Sequence, residues 1–506
     1  HRHSGRDAGF QDRPAQSPGM TLSRRQAIGA AIAMQVAAKA TGATNPPALP
    51  DKAGFAVTPI AYLDSASIHP ISLGARRAMD AYVAGRTLDP AAPQPVDRAA
   101  TLAKFARLVN ADPDEVTWVQ STTAGEQAVL RALGFPGSGG RIVTDTLHFY
   151  AAFPMYQELA KQGVDVAWVQ ARDGRILPED MARAITPGTK LVSLSLVSTY
   201  NGFQHDLKTV CALAHAAGAL VYADIIHAAG AVPVDLHDSG VDFAACATYK
   251  WLMGDFGLGF LYARRGIVEN LRLADFGYYG FAAPGATPGI GLSPPQTHVY
   301  PMDPPGNAPT GYIHRTGALG HFGTGTYAQA VIPAIDHGLD YITAIGVPAI
   351  QTHAQELIGL LREGLTAKGY RLITPADART PLLTALLPNA QERLTGPLAR
   401  AQVRVSLHDH HLRIARHPFL PICRTWSVCL VPCPAPDPSR RDRHEVRPHR
   451  QPDAGRRAGH GATRCYAATA ARPIALFTGG ASRRSPLPVR PDRPSAGGDG
   501  PPYGRI

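Results

Sequence analysis

Between about residue 60 and residue 416, short β-rich apolar runs alternate with stretches whose apolar positions recur every three to four residues. The runs Arg141-Ile142-Val143-Thr144, Val164-Asp165-Val166-Ala167-Trp168, Lys190-Leu191-Val192-Ser193-Leu194-Ser195 and Ala219-Leu220-Val221-Tyr222-Ala223-Asp224 suit strands buried on both faces. Helical spacing fills the intervals, as from Leu207 to Ala217, with Gly218 as its stop. Strands alternating with helices predict an α/β fold: a mainly parallel sheet with helices on both faces. On such sheets ligands gather at the carboxyl ends of the strands, so the polar residues there matter most. After Arg264 a Gly/Pro-rich stretch runs to about Pro309. A helix-rich segment follows from Tyr327 through Gly369, and the strand-like pieces Val403–Leu407 and Leu412–Ala415 close the pattern. A large domain over 60–310 and a smaller α+β domain over 320–416 are expected.

A length of 506 residues agrees with two domains, since single cores seldom serve so long a chain. Apolar residues at 45% and charged residues at 18% exclude collagen-like, coiled-coil and wholly disordered chains. No run of eighteen apolar residues occurs, so no membrane-spanning helix is expected. The formal charge of +11 is concentrated in residues 417–506, which hold fifteen Arg, no Lys and six acidic residues. The remainder carries +2 and suits a small-molecule partner rather than a nucleic acid.

The two ends read differently from the body. The first Met is Met20, and Met20-Thr21-Leu22-Ser23-Arg24-Arg25-Gln26 precedes an Ala-rich apolar stretch. That order resembles a twin-arginine export signal over 20–45, with 1–19 as an upstream extension. It implies a periplasmic protein; if the arginines only open an amphipathic helix, a cytoplasmic one. Residues 417–506 hold fifteen Pro and four of the six Cys without apolar periodicity. They read as a disordered tail or an out-of-frame translation. Cys423, Cys429 and Cys433 lack the spacing of a zinc site, so no metal is expected.

The body carries four places of chemical interest. Lys250 stands among apolar and aromatic residues in Cys246-Ala247-Thr248-Tyr249-Lys250-Trp251-Leu252. Burial would lower its pKa and suit a Schiff-base lysine, although a lysine snorkelling from a strand end fits the same residues. Asp224 ends a strand and His227 follows three residues later; such an acid can hold a heteroaromatic nitrogen or cap the next helix. His148, after the Arg141–Thr144 strand, can stack on an aromatic ring or cap a helix. Ser121-Thr122-Thr123-Ala124-Gly125, before an apolar helix, can cradle a phosphate or simply supply an N-cap.

In this order, Thr122-Thr123, His148, Asp224, His227 and Lys250 resemble the class V aminotransferase family of fold-type I pyridoxal-phosphate enzymes. The family includes cysteine desulfurases, kynureninases and isopenicillin N epimerases. The resemblance covers about residues 60–416. It implies a seven-stranded, mainly parallel sheet and pyridoxal 5'-phosphate as cofactor. It also implies that Lys250 bonds to the cofactor and shuttles the Cα proton, while Asp224 pairs with the pyridine nitrogen. By the same resemblance His148 stacks on the ring, and His227 contacts its hydroxyl. Thr122, Thr123 and Tyr249 hold the phosphate, and Thr199 contributes a contact where many relatives have Asn. Thr326 reaches the phosphate of a neighbouring subunit, which implies a homodimer with shared active sites. Arg413 grips the carboxylate of an amino-acid substrate.

The departures narrow the activity. Cysteine desulfurases carry a nucleophilic Cys shortly before the carboxylate arginine, whereas residues 370–412 contain none. Transfer of sulfur through an enzyme persulfide is therefore not expected. Tyr249 beside Lys250 is closer to kynureninase, and Val197 to Leu207 leans towards the epimerase-like branch. The leading expectation is an epimerase-like enzyme or transaminase acting through a Cα carbanion. A carbon–sulfur or carbon–carbon lyase is the alternative, and a catalytically inactive binding protein is the alternative from another class.

Overall fold

The computed structural model describes residues 49, 51, 53–56, 59–90, 95–277, 279–282 and 313–416. The expected extension over 1–19, the export signal over 20–45 and the tail from 417 lie outside the described residues, as does most of the Gly/Pro-rich stretch.

A two-residue strand, β1 (Ala61–Tyr62), precedes the main sheet. That sheet comprises β2 (Val116–Val119), β3 (Arg141–Asp145), β4 (Asp165–Val169), β5 (Thr189–Ser195), β6 (Leu220–Asp224), β7 (Phe243–Ala247) and β8 (Gly259–Ala263). Its strand order is β2-β8-β7-β6-β5-β3-β4. Pairing is parallel from β4 through β7, while β8 runs antiparallel to both β7 and β2. This is the fold-type I α/β architecture. The four β-rich runs of the sequence are β3, β4, β5 and β6, each within a residue at either end. The helix Leu207–Ala216 ends as its sequence predicts, with Gly218 at a φ of 76° just beyond it.

Two further short strands, β9 (Phe281–Ala282) and β10 (Ile313–His314), pair antiparallel. The chain then forms β11 (Arg371–Leu372), β12 (Leu382–Leu386), β13 (Val403–Arg404), β14 (Ser406–Leu407) and β15 (His411–Ala415). The second sheet is antiparallel, in the order β11-β12-β15-β14, and β13 pairs in parallel with β1. The helices Val347–Ala367 and Ala390–Arg400 place Ile358, Leu361, Leu365 and Leu394 in one apolar cluster with Leu383, Leu412 and Ile414 of this sheet.

Around β8, apolar burial is dense. Phe260 lies opposite Trp118 in the β2–β8 ladder, with ring centroids 4.8 Å apart. Phe105, from the helix Arg98–Leu108, stacks on the other side of Phe260 at 3.9 Å. Phe260 and Trp118 are fully buried. Phe260→Ala would leave a void between two rings that cannot close it, so a loss of about 3–5 kcal/mol is expected. Urea denaturation would measure it; a loss under about 1 kcal/mol would mean that the rings repack.

Candidate active site

The carboxyl ends of the parallel strands carry the polar residues that the sequence singles out. Lys250 lies in the turn joining β7 to β8. Thr248 closes that turn, since its hydroxyl donates to the carbonyls of Asp255 (2.8 Å) and Leu258 (3.1 Å). Asp224 is the last residue of β6, and His227 lies in the loop after it. This loop packs directly on the lysine turn. Gly230 has a φ of 86°, and a Cβ there would stand 3.0 Å from the carbonyl oxygen of Trp251, so only glycine fits both the turn and the approach.

Lys250 is buried, and its Nζ lies 2.9 Å from His227 Nε2. Burial pushes the amine down to about 8; the Asp224 carboxylate opposes this, and the Arg413 guanidinium adds to it. Burial also holds His227 well below its ordinary value, with Lys250 and Arg413 pressing the same way. The ring is therefore neutral, and we assign its Nε2 as acceptor from the Lys250 ammonium. The proton then sits on Nδ1, which is buried and has no hydrogen-bond partner.

Asp224 is buried, with Oδ1 accepting from the Ile226 amide at 2.9 Å. Burial raises its carboxyl to about 6, against the pull of that amide, His148 and Lys250. His148 lies beyond the end of β3. Its Nδ1 is 2.8 Å from Ser195 Oγ, and its Nε2 is 3.0 Å from Glu126 Oε1.

The helix Thr122–Ala132 begins beside this cluster, capped by the Ser121 hydroxyl, which accepts from the Ala124 amide at 3.1 Å. Thr122 is buried, and its hydroxyl accepts from the Ala247 amide at 3.3 Å. Thr123 is exposed. A Cβ on Gly125 would stand 3.0 Å from the Ala245 Cβ. The small residue thus lets the helix start lie against β7, just before the lysine turn. Tyr249 is partly buried and stacks on Phe256 at 4.4 Å.

Arg413, in the centre of β15, comes from the second sheet. Its Nη1 donates to the Thr199 hydroxyl (2.7 Å) and carbonyl (3.1 Å). Its Nη2 donates to Ser67 Oγ (2.6 Å) and lies 3.4 Å from Asp64 Oδ1. Nε is buried without a partner. Thr199 therefore anchors the arginine, where the sequence reading gave it a cofactor contact. Asn201, two residues on, is wholly buried and pins the backbone, donating to the Gly174 and Ile373 carbonyls. Thr326 is exposed on this chain and stands apart from these contacts.

The structure thus draws Lys250, His227, Asp224, His148, Thr122, Thr199 and Arg413 to one end of the sheet. The sequence reading passed over Glu126, Ser195, Asp64 and Ser67. Ser195 alone carried a usable signal, as the last residue of a predicted strand.

The donor set fits pyridoxal 5'-phosphate. A buried amine suits an aldehyde, and a buried carboxylate suits a protonated pyridine nitrogen. The unpartnered His227 Nδ1 suits a ring oxygen, and a helix start with hydroxyls suits a phosphate. Residues 97–281 match the family model described as aminotransferase class-V. A probable cysteine desulfurase from Methanothermobacter thermautotrophicus is 28% identical over 309 residues, covering 58% of this chain and 70% of that protein. Kynureninase from Pseudomonas fluorescens is 35% identical over 162 residues, covering 30% of this chain and 38% of that protein. The solved structure of the cysteine desulfurase CsdA from Escherichia coli superposes with a TM-score of 0.61 at 19% identity, covering 73% of this chain and 93% of that one. Over residues 97–281 the chain is similar to the class V aminotransferase family, and it is a pyridoxal-phosphate-dependent enzyme.

Proposed function

We propose that the enzyme is a lyase that takes an α-amino acid by its carboxylate and breaks a bond to the β-substituent. The reading is carried by one observation. Arg413, brought by the second sheet to the same end of the main sheet as the buried Lys250–His227 pair, is held by Thr199 and Ser67 with its buried Nε unpartnered.

When bound, pyridoxal phosphate supplies an electron sink for a carbanion at the substrate Cα. In this reading Lys250 would hold the cofactor's aldehyde carbon and would move the Cα proton, as an amine whose lowered value suits that transfer. His227 Nδ1–H would donate to the ring oxygen. Asp224 would hold the pyridine nitrogen protonated, and the Ser121–Thr123 helix start would hold the phosphate. Arg413, fixed by Thr199 and Ser67, would orient the carboxylate, with its unpartnered Nε as a free donor. Thr326, exposed on this chain, would serve the phosphate of a second copy; sedimentation at micromolar concentration should then give a dimer mass.

The lyase outcome is favoured by the relatives named cysteine desulfurase and kynureninase, while another relative, from Bacillus subtilis, is named an aminotransferase. A persulfide on the enzyme is disfavoured. The free cysteines among the described residues, Cys211 and Cys246, are buried, and burial raises both thiols. The test is an absorbance and product survey with L- and D-amino acids. Release of the β-substituent from one enantiomer supports the reading. Racemised substrate, or amino-group transfer to a keto acid with no β-cleavage, would sink it.

The lysine value gives a pH prediction. Burial disfavours the cation, so the neutral amine that bonds to the cofactor accumulates as pH rises through about 8. Borohydride-trapped loading of the apo-protein should quicken about tenfold per pH unit below that value and level off above it. A rate still climbing at pH 10 would indicate an ordinary lysine.

A further inference from the structure

Behind His148 lies a buried polar group that the reaction described above does not use. Glu126, on the inner face of the helix Thr122–Ala132, is almost wholly buried. Its Oε1 accepts from the Tyr156 hydroxyl, from Ser193 Oγ at 2.9 Å and from His148 Nε2 at 3.0 Å. The donors come from the helix Phe153–Lys161, from β5 and from the loop after β3. On the far side of the imidazole, Ser195 Oγ meets Nδ1 at 2.8 Å. An oxygen facing three donors suits an ionised carboxylate, and leaving such an anion buried without a cation is costly. His148 is the cation within reach.

We propose that Glu126 is a positioning residue, which holds His148 as a fixed imidazolium in the cofactor site through a buried Tyr156–Glu126–His148–Ser195 chain. The proposal rests on the reading that His148 faces the cofactor ring. The charged groups that act most strongly on the imidazole agree in sign. Glu126 faces it from the helix, Asp145 from the end of β3 and Asp224 from the end of β6, and all three raise its pKa against the effect of burial. Tyr156 is held well above its ordinary value and stays a neutral donor. Glu126 in turn is held below the ordinary carboxylate range, chiefly by His148 once burial is overcome. A positive charge locked beside Asp224 helps keep that carboxylate ionised. It would also favour electron density arriving in a ring laid against it.

The chain fixes orientation as well as charge. With both ring nitrogens engaged, the imidazole plane cannot turn. Glu126→Gln removes the charge while keeping an oxygen that can accept from Nε2. The experiment is a histidine-selective NMR titration of the apo-protein, with the His148 signal assigned by its loss in His148→Gln. Wild-type His148 should stay protonated through pH 7. In Glu126→Gln its midpoint should fall by about 1–3 pH units, whereas Glu126→Asp, which keeps the charge, should recover part of the shift. A wild-type His148 that is neutral at pH 7 overturns the proposal without need of any variant. So does a midpoint that Glu126→Gln leaves unmoved. The reading beneath it is tested separately by the absorbance of the loaded protein. Both His148→Gln and Glu126→Gln should shift the cofactor band while leaving it reducible by borohydride. A band unmoved by His148→Gln would remove His148 from the cofactor, and the proposal with it, even if the apo titration behaved as expected.

Discussion

Lys250→Ala should load no borohydride-reducible pyridoxal phosphate and should lose more than about 10⁴-fold in turnover. The amine is buried against His227, and its depressed titration makes it the reactive lysine of the site. The turn that carries it is closed by Thr248 rather than by the lysine itself, so the fold should survive the change. Peptide mapping after reduction of the wild type should place the label on the peptide holding Lys250. A label on another lysine, or a variant that keeps its reducible chromophore, would mean that the covalent partner lies elsewhere.

Asp224→Ala should lower turnover by roughly 10²–10⁴-fold. That is the rate equivalent of about 3–5 kcal/mol, the cost of stripping one partner from a buried ion pair. The missing partner is the anion that would hold the pyridine nitrogen protonated. Burial already raises Asp224 to about 6, so the carboxylate is ionised at neutral pH, though by a narrow margin. Asp224→Asn separates charge from shape: it keeps an oxygen for the Ile226 amide and removes the anion. Cofactor affinity and turnover should therefore fall in both variants. Activity retained by Asp224→Asn would assign the residue to holding the loop instead.

Much of the sheet was legible because strands buried on both faces must be written in apolar, often β-branched residues, as β3, β5 and β6 are, and the partly buried edge strand β4 keeps enough of that composition to be seen. β8 was less legible: Phe256-Gly257-Leu258-Gly259 announces a turn, and five residues are too few to show a period. β12, in Thr380-Pro381-Leu382-Leu383-Thr384-Ala385-Leu386, has the composition of a helix and becomes a strand by pairing with β15. At the site, Lys250, Asp224, His227 and His148 could be picked out because each ends or follows a recognisable strand. Glu126 could not. In Ala124-Gly125-Glu126-Gln127 it reads as a surface acid of an amphipathic helix, and only partners from three other elements make it a buried anion. Asp64 and Ser67 likewise gain meaning only when Arg413 arrives nearly 350 residues later.

The lone antiparallel strand has a consequence for the nascent chain. β2 has no sheet neighbour other than β8, and Trp118 waits for Phe260 roughly 140 residues downstream. At ordinary translation rates that is on the order of 7–30 s in which β2 has left the ribosome with an unsatisfied edge. The strands β3 through β7 can meanwhile pair one after another. The last strand of the sheet to be synthesised is thus inserted between the first and the rest. Chains truncated shortly before Gly259 and freed from the ribosome should hold a parallel half-sheet with a sticky apolar margin, bound by holdase chaperones. Release of Ala263 should let that margin close.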